Sequence, residues 1–267
     1  MPNLSQSVAE LNQELGHLEA LPQPVVAYGR DLGDGEILPF HQHRRAQLVY
    51  ASSGVMTVTT PFAAYVVPPQ RAVWMPGGVS HRIDARGNVT MRTLYIEATE
   101  TARLPEQVCV LQVSPLLREL IVTVVASGPS YEPNTAQSRM MSVVLDQICA
   151  QPVASLSLPL PTDSRPLRVA NALIDNPADP RDLRRWAKDV GASTRTLSRL
   201  FTAQTGMTFR AWRQQRRLLR ALELLASGNN VTTVALELGY DNTSAFIAMF
   251  RRCLGTTPAR YLGTGPY

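Results

Sequence analysis

Two histidines stand one residue apart in "FHQHRRAQLVYASSG", at His41 and His43, and an amide, Gln47, follows four residues on. A third histidine, His81, comes just after a Pro76-Gly77-Gly78 turn. Residues i and i+2 of a strand point to one face, so His41 and His43 can present their imidazoles together. Imidazole nitrogens with one oxygen donor suit a divalent ion such as Zn, Ni or Fe. They equally suit a pocket whose histidines exchange hydrogen bonds with a small molecule, and histidines that merely fill a core. Tyr50, Trp74 and Arg92 are the expected wall of such a pocket, since aromatic rings can stack on a planar effector. Neighbouring Arg44 and Arg45 are candidates to attract an anion.

Short apolar runs broken by Gly and Pro surround these residues. "AQLVYASSGVMTVTT", "AYVVPPQRAVWMP" and "VTMRTLYIE" read as strands of an antiparallel barrel or sandwich. Two helices follow. "SPLLRELIVTVVAS" offers Ser114 as N-cap and Pro115 at the first helical position. In "TAQSRMMSVVLDQICA", as in its predecessor, apolar residues recur at spacings of three and four. Leu117, Leu120, Ile121 and Val124 form one stripe; Met141, Val144, Leu145 and Ile148 form the other. A stretch with four prolines between 152 and 166, "QPVASLSLPLPTDSRP", reads as an extended linker.

Charge divides at the same place. Residues 1–163 hold 10 Arg and 14 acids, a net of −4, whereas residues 164–267 hold 15 Arg, Lys188 and 7 acids, a net of +9. That imbalance points to a polyanion partner for the C-terminal part alone. The same part contains a repeat. Ala187-xxx-Gly191 matches Ala235-xxx-Gly239 at an offset of 48, while Phe201 and Gly206 match Phe250 and Gly255 at 49. Each copy has the chemistry of a helix-turn-helix: a small residue for close approach, then a Gly able to take the left-handed turn. Ser193 is the expected cap of the first recognition helix, and Asp241 or Asn242 that of the second. Leu197, Leu200 and Phe201 are expected to point inward, which leaves Arg195, Thr196, Ser198 and Arg199 for DNA. In the second copy Phe246, Met249 and Phe250 pack inward. Asn242, Thr243, Ser244 and Ile247 are left for bases, and Arg251 with Arg252 for phosphates. "FRAWRQQRRLLRALELLAS" is the rigid helix between the copies.

"ALELGYDNTSAFIAMFRRCLGTTPARY", with "LSRLFTAQTGMTFRAWRQQRRLLRALELL" before it, resembles the AraC family of bacterial transcription regulators over roughly residues 165–262. Family members often carry Arg where Ala248 stands, and Arg where this chain has Leu262. In the N-terminal half, Gly35-x5-His41-x-His43-x3-Gln47-x6-Gly54 resembles the first cupin motif, and Pro76-Gly77-Gly78-Val79-Ser80-His81 the core of the second. This implies a cupin-like barrel in which His41, His43 and His81 would converge on a metal, with Gln47 in place of the usual Glu. A neutral amide is a poorer ligand than a carboxylate, so the substitution weakens a divalent site.

Together these imply a multi-domain β + α protein. A cupin-like effector-sensing barrel is expected over 21–105, a helical dimerisation segment over 106–150, a Pro-rich linker over 151–166 and a double helix-turn-helix DNA-binding domain over 167–267. The expected function is a DNA-binding transcription regulator controlled by a small molecule, acting as a homodimer and in contact with RNA polymerase. The alternative is a cupin metalloenzyme, an oxygenase or isomerase, fused to a DNA-binding module. With 45 % apolar and 18 % charged residues the composition is globular, and no apolar run reaches the roughly 18 residues of a membrane span. Three scattered cysteines, Cys109, Cys149 and Cys253, make no disulfide framework, and the N-terminus lacks the apolar stretch of a signal peptide. A cytoplasmic location follows as the expectation.

Overall fold

A computed structural model describes residues 4–154 and 157–263, with side chains omitted for a few residues at the edges of these ranges. The chain divides into two compact units, residues 1–60 with 65–157, and residues 61–64 with 158–267. Each is built by its own rules.

The first unit is an antiparallel sheet. Its strands are β1 (Val25–Leu32), β2 (Ile37–His41), β3 (Ala46–Thr59), β4 (Ala63–Val67), β5 (Arg71–Met75), β6 (His81–Ile96), β7 (Cys109–Gln112) and β8 (Val153–Ala154). They run in the order β1-β6-β3-β5-β7-β8, with β2 beside β6 and β4 beside β3. β3 and β6 are long, and each changes neighbours midway. The first half of β6 pairs with β2, and its second half pairs with β1. The register between β3 and β6 shifts on either side of Ser53, beside Gly54. Gly54 has φ +75°, and a Cβ there would lie 2.3 Å from the Asn88 carbonyl oxygen, so only glycine allows the two strands to cross here.

Alternation sorts β3 into two faces. Ala46, Leu48 and Tyr50 join Trp74, Leu94 and Ile96 in a core closed by α2 (Pro115–Ala126) and α3 (Ala136–Cys149). Ser114 caps α2 by accepting from Leu117 N, with Pro115 at the first helical position as expected; Thr135 caps α3. The stripes Leu117, Ile121, Val124 and Met141, Val144, Ile148 are buried in this core. Burial of each such side chain contributes roughly 1.5–3 kcal/mol. These residues, expected at a dimer interface, are therefore spent on the chain's own sheet; Leu120 and Leu145 are half-buried against it.

Two stretches gain structure that the sequence pattern did not suggest. α1 (Leu4–Ala20) buries Leu11, Leu15 and Leu18, a four-then-three spacing that marks one helical face. In the proline-rich stretch, Val153–Ala154 adds a strand to β7, and Asp163 caps the helix that follows.

The second unit is all-helical: α4 (Ser164–Asp175), α5 (Leu183–Asp189), α6 (Thr194–Thr205), α7 (Phe209–Ala226), α8 (Val231–Glu237), α9 (Thr243–Leu254) and α10 (Pro258–Gly263). α7 is its axis. Phe209, Trp212, Leu218, Leu219, Leu222 and Leu225 are buried along it, and Trp212 Nε1 donates to the Pro159 carbonyl at 2.6 Å. The strong basic character of this helix is partly internal. Arg216 pairs with buried Glu223 at 3.7 Å and donates to the Ile174 carbonyl at 2.8 Å. Arg213 donates to the carbonyls of Arg181 and Asp179, and Arg217 to that of Pro177 at 3.0 Å. Such side chains hold the 174–181 segment in place and are not spare charge for a polyanion.

Candidate functional site

His41 closes β2 and stands directly across from His81, the first residue of β6. His43 follows β2, fixed where Gly78 N donates to its carbonyl at 2.8 Å. The Pro76-Gly77-Gly78 turn lies so close to this segment that a Cβ at Gly77 would meet the Arg44 carbonyl oxygen at 2.1 Å. Ring centroids lie 4.3 Å apart for His41 and His81, and 5.2 Å for His43 and His81. One nitrogen from each of the three rings falls within 4.8 Å of the others. Gln47, 1 % exposed, sets its Oε1 3.0 Å from His43 Nε2 and donates from its Nε2 to Thr93 Oγ1 at 2.9 Å. Burial, with His41 beside it, lowers His81 to about 3, and burial lowers His41 below the ordinary histidine range. The imidazoles of His41 and His81 are thus neutral and have lone pairs to offer. The donor set fits a divalent ion: three imidazoles, one amide oxygen, and a buried His81 Nε2 with no hydrogen-bond partner.

Three expected wall residues lie elsewhere. Tyr50 and Trp74 belong to the core under α2 and α3. Tyr50 is three positions from Gln47 and so points to the opposite face of β3; Trp74 pairs with Leu48, one residue out of phase. Arg92 is next to Thr93, and for the same reason it lies on the face that α2 covers, where it pairs with Asp31 at 3.0 Å. The residues on the histidine face are Thr93 and Tyr95, whose ring stands 5.1 Å from that of His43. A correct phase for β6 would have found them. Arg45 is corrected too. It is 1 % exposed and donates to the carbonyls of Leu21 and Gln23, at 2.5 and 2.8 Å, while pairing with Glu97. Arg44 is exposed but is also paired with Glu97.

α1 covers this face of the sheet. Leu11, Leu15 and Leu18, with Leu38, Ile83, Met91 and Tyr95, border a small cavity of about 10 Å³ that His41 and Gln47 also line. That is room for about one water. Glu14 of α1 accepts from the Tyr28 hydroxyl and pairs with Arg30 at 3.1 Å, while Glu19 accepts from Arg44 N.

In the second unit the repeat is reproduced bond for bond. Gly191 N donates to Lys188 O and Ala192 N to Ala187 O; Gly239 N donates to Leu236 O and Tyr240 N to Ala235 O. Both glycines have positive φ, 68° and 72°. Ser193 caps α6 through Thr196 N at 3.1 Å, and Asn242, rather than Asp241, caps α9 through Ala245 N at 2.8 Å. The change of offset from 48 to 49 is thus one added turn residue, Asp241, between Tyr240 and the cap. Leu197 and Phe201 are fully buried on α6 and Leu200 half-buried; on α9, Phe246, Met249 and Phe250 are buried. Arg195 and Arg199 are exposed on α6, with Thr196 and Ser198 half-buried beside them. On α9, Ser244, Ala248, Arg251 and Arg252 are exposed; Thr243 and Ile247 are partly so. Among the described residues neither Arg195 nor Arg199 takes an internal ion pair, in contrast to Arg181, which pairs with Asp179 and Asp189. Arg184 and Arg210 are exposed in the same way, whereas Arg216 is buried and internally paired.

Residues 186–264 match the model of a helix-turn-helix domain, and residues 24–155 that of an AraC-like ligand binding domain. The chain is 38 % identical over 241 residues to the HTH-type transcriptional regulator NimR of Escherichia coli, covering 90 % of this chain and 88 % of that one. The chain belongs to the AraC family of transcription regulators. This regulator is also 31 % identical over 107 residues to the arabinose operon regulatory protein of Escherichia coli, which spans 39 % of this chain and 37 % of that protein. The solved structure of ToxT from Vibrio cholerae superposes with a TM-score of 0.39 at 12 % identity, covering 91 % of the regulator and 99 % of ToxT. The regulator binds DNA through its helical unit, its ligand-binding domain takes a small molecule, and its named relatives are regulators rather than cupin enzymes. Among the described residues no helix is long and apolar enough to cross a membrane.

Proposed function

We propose that the regulator reads an operator with α6 and α9 as two recognition helices. Arg195 and Arg199 would take guanine edges, with Thr196 and Ser198 on adjacent atoms. Asn242, Thr243, Ser244 and Ile247 would meet bases or the thymine methyl, and Arg251 a phosphate. One observation carries this reading: two exposed guanidiniums, without internal ion pairs, lie one turn apart at the start of a capped helix. Most neighbouring arginines are tied to carbonyls or carboxylates. In the first unit the small molecule would bind on the face of His41, His43, Gln47 and His81, with Thr93 and Tyr95. The small cavity there supports a reading in which α1 shifts to admit it. Only a ligand with unequal affinity for the two arrangements would alter DNA binding.

The regulator would act in the cytoplasm as a homodimer on adjacent half-sites, in contact with RNA polymerase. Because the inner stripes of α2 and α3 are already buried, pairing would use outer residues such as Leu116 and Val143, which are exposed. The test is a gel shift of the full chain on the DNA upstream of its own gene. A shift is expected from the native chain and should be lost with Arg195→Ala or Arg199→Ala. If the complex survives the double substitution unchanged, α6 does not read the operator.

A further inference from the structure

We propose that the first unit holds a second small-molecule site, away from the histidine face, that takes an organic cation on a flat apolar body. An amidinium, a guanidinium or a protonated amine would meet that description. The site is a cleft of about 470 Å³ where the approach to β1, the α2–α3 connection and α3 meet. That volume falls within the roughly 300–1,000 Å³ of small-molecule pockets and is far more than one water occupies.

Its floor is the edge of the apolar core. Val25 and Met141 are buried there, and Tyr131 and Leu145 pack half-buried against the same cluster. A tyrosine ring attracts a cation through its face, and a methionine thioether adapts to the shape of its guest. Gln23, on the opposite wall, supplies the direction. Its Nε2 donates to the Tyr131 carbonyl at 3.1 Å. A carbonyl only accepts, so this bond fixes the amide and leaves Oε1 as a bare acceptor. That oxygen is buried and has no hydrogen-bond partner. An unmet buried acceptor is costly, and a guest that brings an N–H group relieves it.

Charge selects the guest. The wall of the cleft contains two exposed carboxylates, Glu100 and Glu132, and no Lys, Arg or His. Among the described residues neither carboxylate takes an ion pair, and Arg45, the buried cation behind Gln23, is already paired with Glu97 at 3.1 Å. An anion would face both carboxylates and the bare amide oxygen, so the cleft disfavours it. Position gives the site a role. Gln23 lies in the segment that joins α1 to β1, where Arg45 holds the carbonyls of Leu21 and Gln23. A cation on Gln23 Oε1 ties down the root of α1, the helix that covers the histidine face.

The experiment titrates benzamidine into the full chain by calorimetry, with neutral benzamide and anionic benzoate as matched controls. Benzamidine should bind at one site, benzamide about 10-fold more weakly and benzoate not at all. Ser142→Lys, which sets an ammonium on the exposed rim of α3, should weaken benzamidine about 10-fold, and Gln23→Leu by a similar factor. Glu100→Gln with Glu132→Gln should weaken it about 3- to 30-fold, and less at high salt. Circular dichroism establishes that each variant is folded. Hydrogen exchange in the native chain should slow at residues 18–25 when benzamidine is bound. The proposal is overturned if benzamidine does not bind at millimolar concentration, or if benzoate binds as well as benzamidine. It is overturned equally if folded Ser142→Lys binds like the native chain, or if exchange at residues 18–25 is unaffected.

Discussion

The two helix-turn-helix copies share a backbone and differ in what they offer to solvent. Their turns make the same pairs of hydrogen bonds at an offset of 48, and their recognition helices end on left-handed glycines, Gly206 and Gly255, at an offset of 49. The outer faces diverge. α6 opens with Arg195 and Arg199, whereas α9 offers Ser244, Ile247 and Ala248 and keeps its cations, Arg251 and Arg252, in the last turn. Cations there also complement the helix dipole. A fold can therefore be duplicated by retaining a handful of small, left-handed and capping residues, while the surface that meets a ligand is free to change. On the proposed reading α6 is equipped for guanine, and α9 for methyl groups and shape.

The largest test of this equivalence concerns the turn glycines, which are alike in φ but not in surroundings. Around Gly191 a Cβ would find open space, so Gly191→Ala carries only the left-handed penalty, about 1–2 kcal/mol. At Gly239 a Cβ would lie 3.0 Å from the Ala178 carbonyl oxygen and 3.2 Å from the Ala178 Cα. Crowding against a backbone adds to the strain, and Gly239→Ala should lose about 2–4 kcal/mol in all. Urea denaturation of the full chain measures both. Equal losses would mean that the second turn is no tighter than the first.

Next in size is the difference between the reading faces. Removing Arg195 or Arg199 should cost about 1–3 kcal/mol of operator binding each and relax sequence preference at the base concerned. Ile247→Ala should have a smaller effect, confined to a thymine position. Arg251→Ala should weaken all sequences alike and reduce the salt slope by about 1. Competition binding on an operator library at two salt concentrations separates the three patterns. A larger loss from Ile247→Ala than from Arg199→Ala would reverse the assignment of the faces.

Legibility in the sequence followed the range of the interaction. The helix-turn-helix copies were readable because their determinants are local: the small residue, the glycine four places on, the cap and the apolar spacing lie within about 20 residues. The histidine cluster was readable because both halves carry punctuated spacings around His41 and His81. What failed depended on phase and on distant partners. Assigning Tyr50 and Arg92 to the pocket put them one residue out of step with Gln47 and Thr93, and a period-two strand turns that slip into the opposite face. Arg45 looked like surface charge because its acceptors, the carbonyls of Leu21 and Gln23, lie over 20 residues back. α1 was missed although Leu11, Leu15 and Leu18 are correctly spaced, since their partners belong to strands far along the chain.

The smallest prediction returns to the paired helices and to the residues that begin them. Ser193 and Asn242 do one job, accepting from the third residue of the helix, at 3.1 and 2.8 Å. Replacing either by Ala should lose about 1 kcal/mol of stability. Their consequences for DNA should differ. The Ser193 hydroxyl also bonds Thr196 Oγ1 at 2.8 Å, so Ser193→Ala releases a side chain beside Arg195 and Arg199. Among the described residues Asn242 shows no such second side-chain link, and its helix opens without a basic residue. At equal loss of stability, Ser193→Ala should therefore reduce operator affinity more than Asn242→Ala. Measuring both variants by denaturation and by gel shift decides the matter. If the two losses of affinity simply track stability, the caps serve only to start the helices, and the difference between the copies begins at Arg195.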